Sequence, residues 1–344
     1  MLKKQWQRIS SSPLARELLV FGAIYLFLAL INLRVKMFLT AAWYDGILER
    51  NHELLLAFQY ANPEQSRLLQ FCIPELFRRL LGLSIPHAYI LQRWLFVFLA
   101  FLCFHFYLKK WFDSRLAFAG VLILAASMPL SYFNHLQESA PLLLLTFLLA
   151  LWAIRERRTF WYAVVLTVGA FNNETMLFLP AVFVFYNFKG LGFRQLIRLV
   201  LTTLGSCLPA YLVVGTIRYI NRDRPQLGDL FWHWPDNIRG IWRHLRTFPL
   251  DYWRAEYVYF VFIFGVFWLY AFLGYSKKPL FLRRAALTIP LFIVPHLLAT
   301  IIAEVRLMLP LSFIVIPMAL FYLFPSASDL DSPPETVGND NKLG

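Results

Sequence analysis

Apolar runs about as long as a bilayer is thick recur through these 344 residues, separated only by short polar punctuation. A helix of about 20 apolar residues crosses the hydrocarbon core, where only helices and closed barrels satisfy their own backbone. The chain therefore reads as an all-α polytopic membrane protein. Spans are predicted near 15–33, 89–108, 116–133, 139–154, 159–171, 175–188, 197–219, 255–275, 285–302 and 307–324, about ten in all. Composition agrees, at 59% hydrophobic and only 15% charged residues, which leaves too little polar surface for a soluble domain. Residues 1–325 form one transmembrane domain, and the polar stretch 326–344, rich in Ser, Asp and Pro, reads as a disordered tail. Lys3, Lys4 and Arg8 precede the first run, and no small-residue cleavage site follows it, so it reads as a retained span.

The net charge of +13 would suit nucleic acid, but its placement points to a membrane. With the N-terminus in the cytoplasm, the segments on that side hold 18 of the 33 basic residues and only seven of the 20 acidic ones. The positive-inside rule then places both termini inside. Two long loops, about 34–88 and 220–254, fall outside. So do short turns around Asn134–Glu138, Asn172–Glu174 and Ala303–Arg306, each carrying one acidic residue. Chemistry is expected on that outer face. The three cysteines are scattered, which argues against a disulfide framework or a cysteine metal site.

In the first loop, Ala42–Tyr60 reads as one helix with Tyr44, Ile47, Leu48, Leu54, Leu55 and Phe58 on an apolar face. Asp45, Glu49 and His52 then share the opposite face. That face is either the solvated side of a helix lying on the bilayer or a site in which Asp45 acts as a base on a lipid-borne substrate. A second helix follows, with Pro74 in its first turn, an apolar edge of Leu76, Phe77, Leu80 and Leu81, and a Glu75–Arg79 pair at i, i+4. Arg67, Arg78 and Arg79 suit phosphate or lipid headgroups alike. Arg93 lies one turn inside the second span, where a charge requires a partner or a wet cavity.

The second loop carries an amphipathic helix over Asp236–Phe248, with Ile238, Ile241, Trp242 and Leu245 on one stripe. Arg239, Arg243 and Arg246 form a basic stripe, and Trp232, Trp234 and Trp253 flank it as headgroup anchors. His233 and His244 stand beside them. Asn172-Asn173-Glu174-Thr175 reads as a helix start capped by Asn. Glu304 and Arg306, two apart, are expected to splay in different directions. Oxygen and nitrogen ligands for a divalent cation would have to come from Asp45, Glu49, His52 and Glu138, which lack tight ligand spacing, so no metal or other cofactor is expected. No P-loop, dinucleotide-type glycine motif or Gly-Xaa-Ser-Xaa-Gly elbow is present, nor a matched pair of broken helices of the transporter kind.

Several segments resemble the C-type (GT-C) glycosyltransferases, integral membrane enzymes that use polyprenyl-phosphate-linked sugars. WYDG, with Asp45, sits where that family has an acidic residue soon after its first span, in a long outer loop with two interfacial helices. SRLLQFCIPELFRRLLGL is similar to a stretch of uncharacterised bacterial members. NNETMLFLPAVF and AEVRLMLPLSFIVIP are similar to the family's polar-acidic and late Glu-Xaa-Arg turns. The layout covers about 10–325 and is similar to that of dolichyl-phosphate-mannose–protein mannosyltransferases. The resemblance implies a bacterial inner-membrane enzyme transferring a hexose or pentose from a polyprenyl-phosphate donor to a glycan, lipid or protein acceptor on the periplasmic side. It implies Asp45 as catalytic base; the residues read directly from the sequence as candidates for binding substrate or lipid phosphate are Arg93, Arg239, Arg243, Arg246, Glu174, Glu304 and Arg306. The rival readings are a non-catalytic lipid or solute translocator and a degenerate partner subunit.

Overall fold

The structure is a computed structural model and describes residues 13–61, 64–132, 138–188, 192–224, 233–247, 257 and 259–325. The tail over 326–344 and the flanking Trp232 and Trp253 lie outside these residues. Every regular element described is helical. In chain order these are α1 (Pro13–Leu39), α2 (Leu48–Leu56), α3 (Leu68–Leu81), α4 (Ile85–Leu108), α5 (Ser114–Ser127), α6 (Ala140–Arg155), α7 (Thr159–Ala170) and α8 (Leu179–Asn187). There follow α9 (Phe193–Ile220), α10 (Trp234–Thr247), α11 (Tyr259–Phe262), α12 (Phe267–Phe272), α13 (Leu280–Ala286), α14 (Thr288–Ala299) and α15 (Ser312–Leu323). Short 3₁₀ turns and one π-turn join several of them.

Among the described residues, six stretches are long and apolar enough to cross a membrane: Leu14–Leu39, Ile85–Leu108, Ser114–Ser131, Phe193–Ile220, Leu280–Ala299 and Val305–Leu323. The chain is a helical membrane protein. The other expected spans are shorter. The 16 residues of α6 make roughly 24 Å of helix, less than the ~30 Å hydrocarbon core. The expected span 175–188 is a 3₁₀ turn leading into α8, and the one over 255–275 is divided between α11 and α12, with Gly265 at φ +50° between them.

Burial separates a central helix from peripheral ones. The stretch Val305–Leu323 is 94% buried, as expected of a helix that is apolar all round. Phe313 packs edge-on against Phe104 of α4, with ring centroids 5.0 Å apart, and Phe321 lies 4.6 Å from Phe112. Gly120 of α5 lets these helices close up, since a Cβ there would sit 2.5 Å from Leu108 Cδ1. On α1 and α9, by contrast, Phe27, Leu201, Leu204 and Leu212 are exposed, as lipid-facing residues are.

The two ends of the bundle differ in chemistry. Where α1 begins, Glu17 accepts from Ser114 Oγ at 2.5 Å, pairs with Lys109, and lies 3.1 Å from His105 Nε2. Arg155 stacks over Trp111 at 4.5 Å and pairs with Glu156, which also takes Lys110. Lys278 donates to the Tyr270 and Ala271 carbonyls at 2.7 and 2.5 Å, closing α12, and burial pulls its ammonium down to about 8. Where α1 ends, the polar groups go inward.

Candidate functional site

The last turns of α1 bring Asn32, Lys36 and Thr40 into line at i, i+4 and i+8, all buried. The span was expected to end near residue 33, but α1 runs on to Leu39 and carries Lys36 inside the bundle. Lys36 Nζ lies 3.4 Å from the Tyr132 carbonyl oxygen, to which it donates, and the Tyr132 hydroxyl donates to Asn32 Oδ1 at 3.0 Å. The Tyr132 ring has Lys36 6.0 Å away on one count and the Arg93 guanidinium 5.1 Å away on another, so two cations share one π-system. Arg93 Nη1 donates to Glu138 Oε2 at 2.9 Å, and the pair is 3% and 1% exposed. Tyr44 donates to the other oxygen of Glu138 at 3.3 Å, while burial and the Glu138 charge push its hydroxyl pKa up. The charges of Arg93, Glu138 and Arg306 all act on Lys36, so four elements meet here.

Beside this hub lies a second group. Arg67 Nη1 donates to both oxygens of Glu64, at 2.8 and 2.9 Å, and both residues are buried. The negative charges of Glu64, Glu174 and Glu304 outweigh the burial of Arg67 and raise its pKa. Glu174 accepts from Arg218 at 3.1 Å, and Asn173 caps its turn by accepting from the Thr175 amide at 2.9 Å. Asn172 donates to the Ser139 carbonyl at 2.9 Å, and Asn221 donates to Ser66 at 3.4 Å. Glu304 and Arg306, expected to splay, instead pair at 2.8 Å. Glu304 opens a 3₁₀ turn, its carbonyl accepting from the Leu307 amide at 3.0 Å, and in a turn, unlike an extended stretch, residues two apart are not sent to opposite sides.

The single helix expected over Ala42–Tyr60 is broken. A π-turn over Trp43–Ile47 holds Asp45 at ψ +65° and Gly46 at φ +91°, a left-handed conformation that glycine adopts without strain. Asp45 is exposed beside buried Trp43 and Tyr44. Asp45, Glu49 and His52 therefore do not share a face. His52 joins Leu48 and Leu55 on the buried stripe of α2, while Glu49 points out. The expected apolar face fails in the same way, with Ile47 and Phe58 exposed. His52 Nε2 is 3.2 Å from Glu75 Oε2, and its Nδ1 is 3.0 Å from the Tyr89 hydroxyl. A carboxylate only accepts, so Nε2 carries the proton and Nδ1 accepts from Tyr89. Burial lowers the His52 pKa, against the pull of Glu75.

Glu75 is the hub of α3. It accepts from Arg78 Nε at 2.7 Å and Arg79 Nε at 2.5 Å as well as from His52, and these bonds, Arg78 first, hold its carboxyl well below the usual range. Arg78 and Arg79 are thus engaged within the protein. Pro74 lies inside α3 and not in its first turn, because the helix starts six residues earlier, at Leu68, with Phe71 and Pro74 buried. The apolar edge of α3 points away from the protein, with Leu76, Leu80 and Leu81 exposed. The weak metal candidates do not converge: Glu49 is exposed, His52 is held by Tyr89 and Glu75, and Glu138 by Arg93. Among the described residues no group of three or more His, Cys, Asp or Glu could hold a metal ion.

The amphipathic helix of the second loop is α10. Arg239, Arg243 and Arg246 are exposed along it, as are Trp234, Ile238, Trp242 and Leu245. Arg239 pairs with Asp236 at 3.2 Å, and Arg246 lies over the Trp242 ring at 4.7 Å. His233 donates its amide to Leu298, and His244 Nδ1 accepts from the Tyr257 amide at 3.2 Å. The helix is fastened by Asn237, fully buried. Its Nδ2 donates to the Leu297 and Thr300 carbonyls, both at 2.7 Å, and its Oδ1 accepts from the Ile302 amide at 3.0 Å.

Eleven buried side-chain polar atoms among the described residues have no hydrogen-bond partner, and nine of them belong to this end of the bundle. They include Nε of Arg67, Arg93 and Arg306, Oε1 of Gln70 and Gln92, and Trp43 Nε1. Buried polar atoms of this kind are ordinarily met by ordered water or a ligand, so their concentration marks this end as the one suited to polar company. No family model matches the chain, and no match is found among curated proteins or solved structures. Fold and site together define a helical membrane protein whose first loop and buried cations crowd one end.

Proposed function

We propose that the chain is a GT-C-like membrane glycosyltransferase, with about ten membrane-crossing segments counting the short apolar helices. It transfers a sugar from a polyprenyl-phosphate donor to an acceptor on the outer, periplasmic side of a bacterial inner membrane. The observation that carries this reading is the placement of an exposed carboxylate, Asp45, one residue from Tyr44, whose hydroxyl joins the Glu138–Arg93 pair. Lys36 and Arg306 act on the same hub. Asp45 takes the proton of the acceptor hydroxyl as it attacks the anomeric carbon. The cations of this end, with the orphaned guanidinium nitrogens of Arg93 and Arg306, offset the charge growing on the departing lipid phosphate. The interfacial helices α2, α3 and α10 line the headgroup level at which such a lipid arrives. The basic groups at the opposite end, Lys109, Lys110, Arg155, Lys278 and Arg284, support a cytoplasmic side there and cytoplasmic termini.

The test incubates protein in nanodiscs with a panel of polyprenyl-phosphate hexoses and pentoses and measures release of polyprenyl phosphate. Asp45→Asn is expected to lower the rate about 10²–10⁴-fold, the range for a lost general base. Unchanged release in that variant overturns the catalytic reading and leaves a headgroup-binding translocator or a partner subunit.

A further inference from the structure

Helix α7 has 12 residues and its neighbour α9 has 28, and two contacts fix how they lie side by side. The Tyr162 hydroxyl meets Cys207 Sγ at 3.5 Å, and Glu174, just past the end of α7, accepts from Arg218. Exposed Arg198 and Arg218 stand 20 residues apart on α9, about 30 Å of helix, which matches the hydrocarbon core. Cys207 is about 13 Å of helix from Arg198, and Arg158 stands about 6 Å nearer the basic end of the bundle than Tyr162. The turn between α6 and α7 therefore stops roughly 7 Å short of the boundary marked by Arg198, which leaves a notch beside α9. In that turn the Arg158 amide donates to the Ala153 carbonyl at 2.8 Å and the Arg157 amide to Ile154 at 3.0 Å, the Schellman closure of a helix. Its left-handed position, which glycine usually fills, is held by Arg157 at φ +55°. Backbone closure does not require a guanidinium there, so the side chain has another use. Arg157 and Arg158 are exposed, and neither side chain has an ion pair or hydrogen bond among the described residues. Glu156, next in the chain, is taken by Lys110 and Arg155. Onward from the turn, α7 exposes Phe160, Trp161, Val164 and Val168 on one stripe, the two rings edge-on at 5.6 Å.

We propose that this notch seats one anionic phospholipid of the leaflet at the basic end, its phosphate on Arg157 and Arg158 and an acyl chain along the Trp161–Val168 stripe. Charges inside the boundary require a partner, and two guanidinium groups without a carboxylate call for an anion. The apolar stripe that begins beside them calls for a chain joined to that anion, which sets a lipid apart from free phosphate or an acidic peptide. Phe160 and Trp161 then lie where aromatic rings anchor to headgroups. The inference rests on the membrane fold and is independent of the glycosyltransferase reading.

The test is native mass spectrometry of the full chain released from nanodiscs of phosphatidylcholine and phosphatidylglycerol in equal parts. Every protein compared carries Arg239→Gln, Arg243→Gln and Arg246→Gln, so that the basic stripe of α10 does not contribute. This parent is expected to keep one phosphatidylglycerol in preference to phosphatidylcholine. Arg157→Gly and Arg158→Gln are expected to lower that preference about 5-fold each and about 30-fold together, the ratios for one and two basic residues near an anionic surface. Glycine adopts the left-handed conformation without strain, so Arg157→Gly is expected to unfold at the parent's temperature or above it while its lipid preference falls. A merely structural arginine would leave the lipid unmoved. Arg115→Gln, at another exposed arginine of the same end, is expected to leave the preference unchanged. Equal retention of the two lipids by the parent, notch variants that keep phosphatidylglycerol as the parent does, or an equal loss in Arg115→Gln overturns the proposal. So does displacement of phosphatidylglycerol by an equal amount of polyprenyl phosphate, which gives the notch to that carrier.

Discussion

Arg93 and Glu138, 45 residues apart in the chain, meet at 2.9 Å with both side chains sealed inside the bundle. Through Tyr44 on the second carboxylate oxygen, this pair ties the turn that leaves α1 to α4 and to the segment entering α6. Gln92 adds a 3.5 Å bond to the Glu138 carbonyl, so the same short segment is held from two neighbouring positions of α4.

Removing one member of this pair strands the other. Glu138→Gln leaves Arg93 buried without its counter-charge, and removal of one partner of a buried pair costs about 3–5 kcal/mol. The double variant Arg93→Met/Glu138→Gln removes both charges and is expected to recover much of that loss. Unfolding in mixed micelles measures it. A double variant whose loss equals the sum of the singles would show that the two residues are not coupled.

Acid should loosen the first loop before it loosens the bundle. Burial holds the His52 pKa below its ordinary 6.5, so below that pH the unfolded chain takes up a proton that the folded one resists. Stability present above pH 6.5 is lost as pH falls through this window, by at most about 1.4 kcal/mol per pH unit for the one proton. The depressed Glu75 carboxyl adds a second loss that begins only below its ordinary 4.5. The groups acting on His52 are Tyr89, Glu75, Arg78 and Glu53. His52→Gln is expected to flatten the first limb and leave the second. Hydrogen exchange of α2 and α3 against pH measures both, and an unchanged first limb in the variant would assign it to another group.

What was legible in the sequence follows from how strongly each signal is local. Long apolar runs specify spans by length alone, and α10 and the Asn173 cap follow from spacing and residue type. Lys36 was hidden because a charge looks like the end of a span. Its signal was the spacing of Asn32, Lys36 and Thr40, which continues one helical face four and eight residues on. Helical periodicity extended through Asp45–Gly46 puts His52 on the wrong face, because there the backbone leaves the helix and resets the phase. Asn237 carried no local signal at all, since its partners lie 60 to 65 residues away. The partners of Glu138 are equally remote, so only the fold shows that its turn closes on Arg93.

Asn237 predicts how α10 is held. Asn237→Ala leaves the Leu297 and Thr300 carbonyls and the Ile302 amide without their bonds. Unmet groups of this kind cost about 1–3 kcal/mol, or roughly 5- to 150-fold in the equilibrium for releasing the helix. Trypsin cleavage after Arg239, Arg243 and Arg246 should accelerate by that factor, with the bundle itself unchanged. Cleavage at the wild-type rate would show that Ile241, packed on the apolar core, and Gly240, close to the Tyr257 ring, suffice to hold the helix.

The guanidinium stripe of α10 makes a separate prediction about lipid. Trp234, Ile238, Trp242 and Leu245 are exposed at helical spacing beside Arg239, Arg243 and Arg246, so one side of the helix suits acyl chains and the other suits headgroups. A basic residue near an anionic surface is worth about 1 kcal/mol, and the exposed Arg239–Asp236 pair subtracts little from that. Replacing all three arginines with Gln is therefore expected to weaken preference for anionic over zwitterionic lipid by roughly 30- to 150-fold at low salt. Fluorescent-lipid exchange into nanodiscs holding the full chain reads this preference, and it should shrink as salt shortens the ~10 Å screening length at 0.1 M. Trp242→Ala keeps the arginine charges but removes an apolar anchor and the ring under Arg246, so it should reduce binding to both lipids with little change in their ratio. A triple variant with unaltered preference would mean that α10 meets the membrane through its apolar stripe alone.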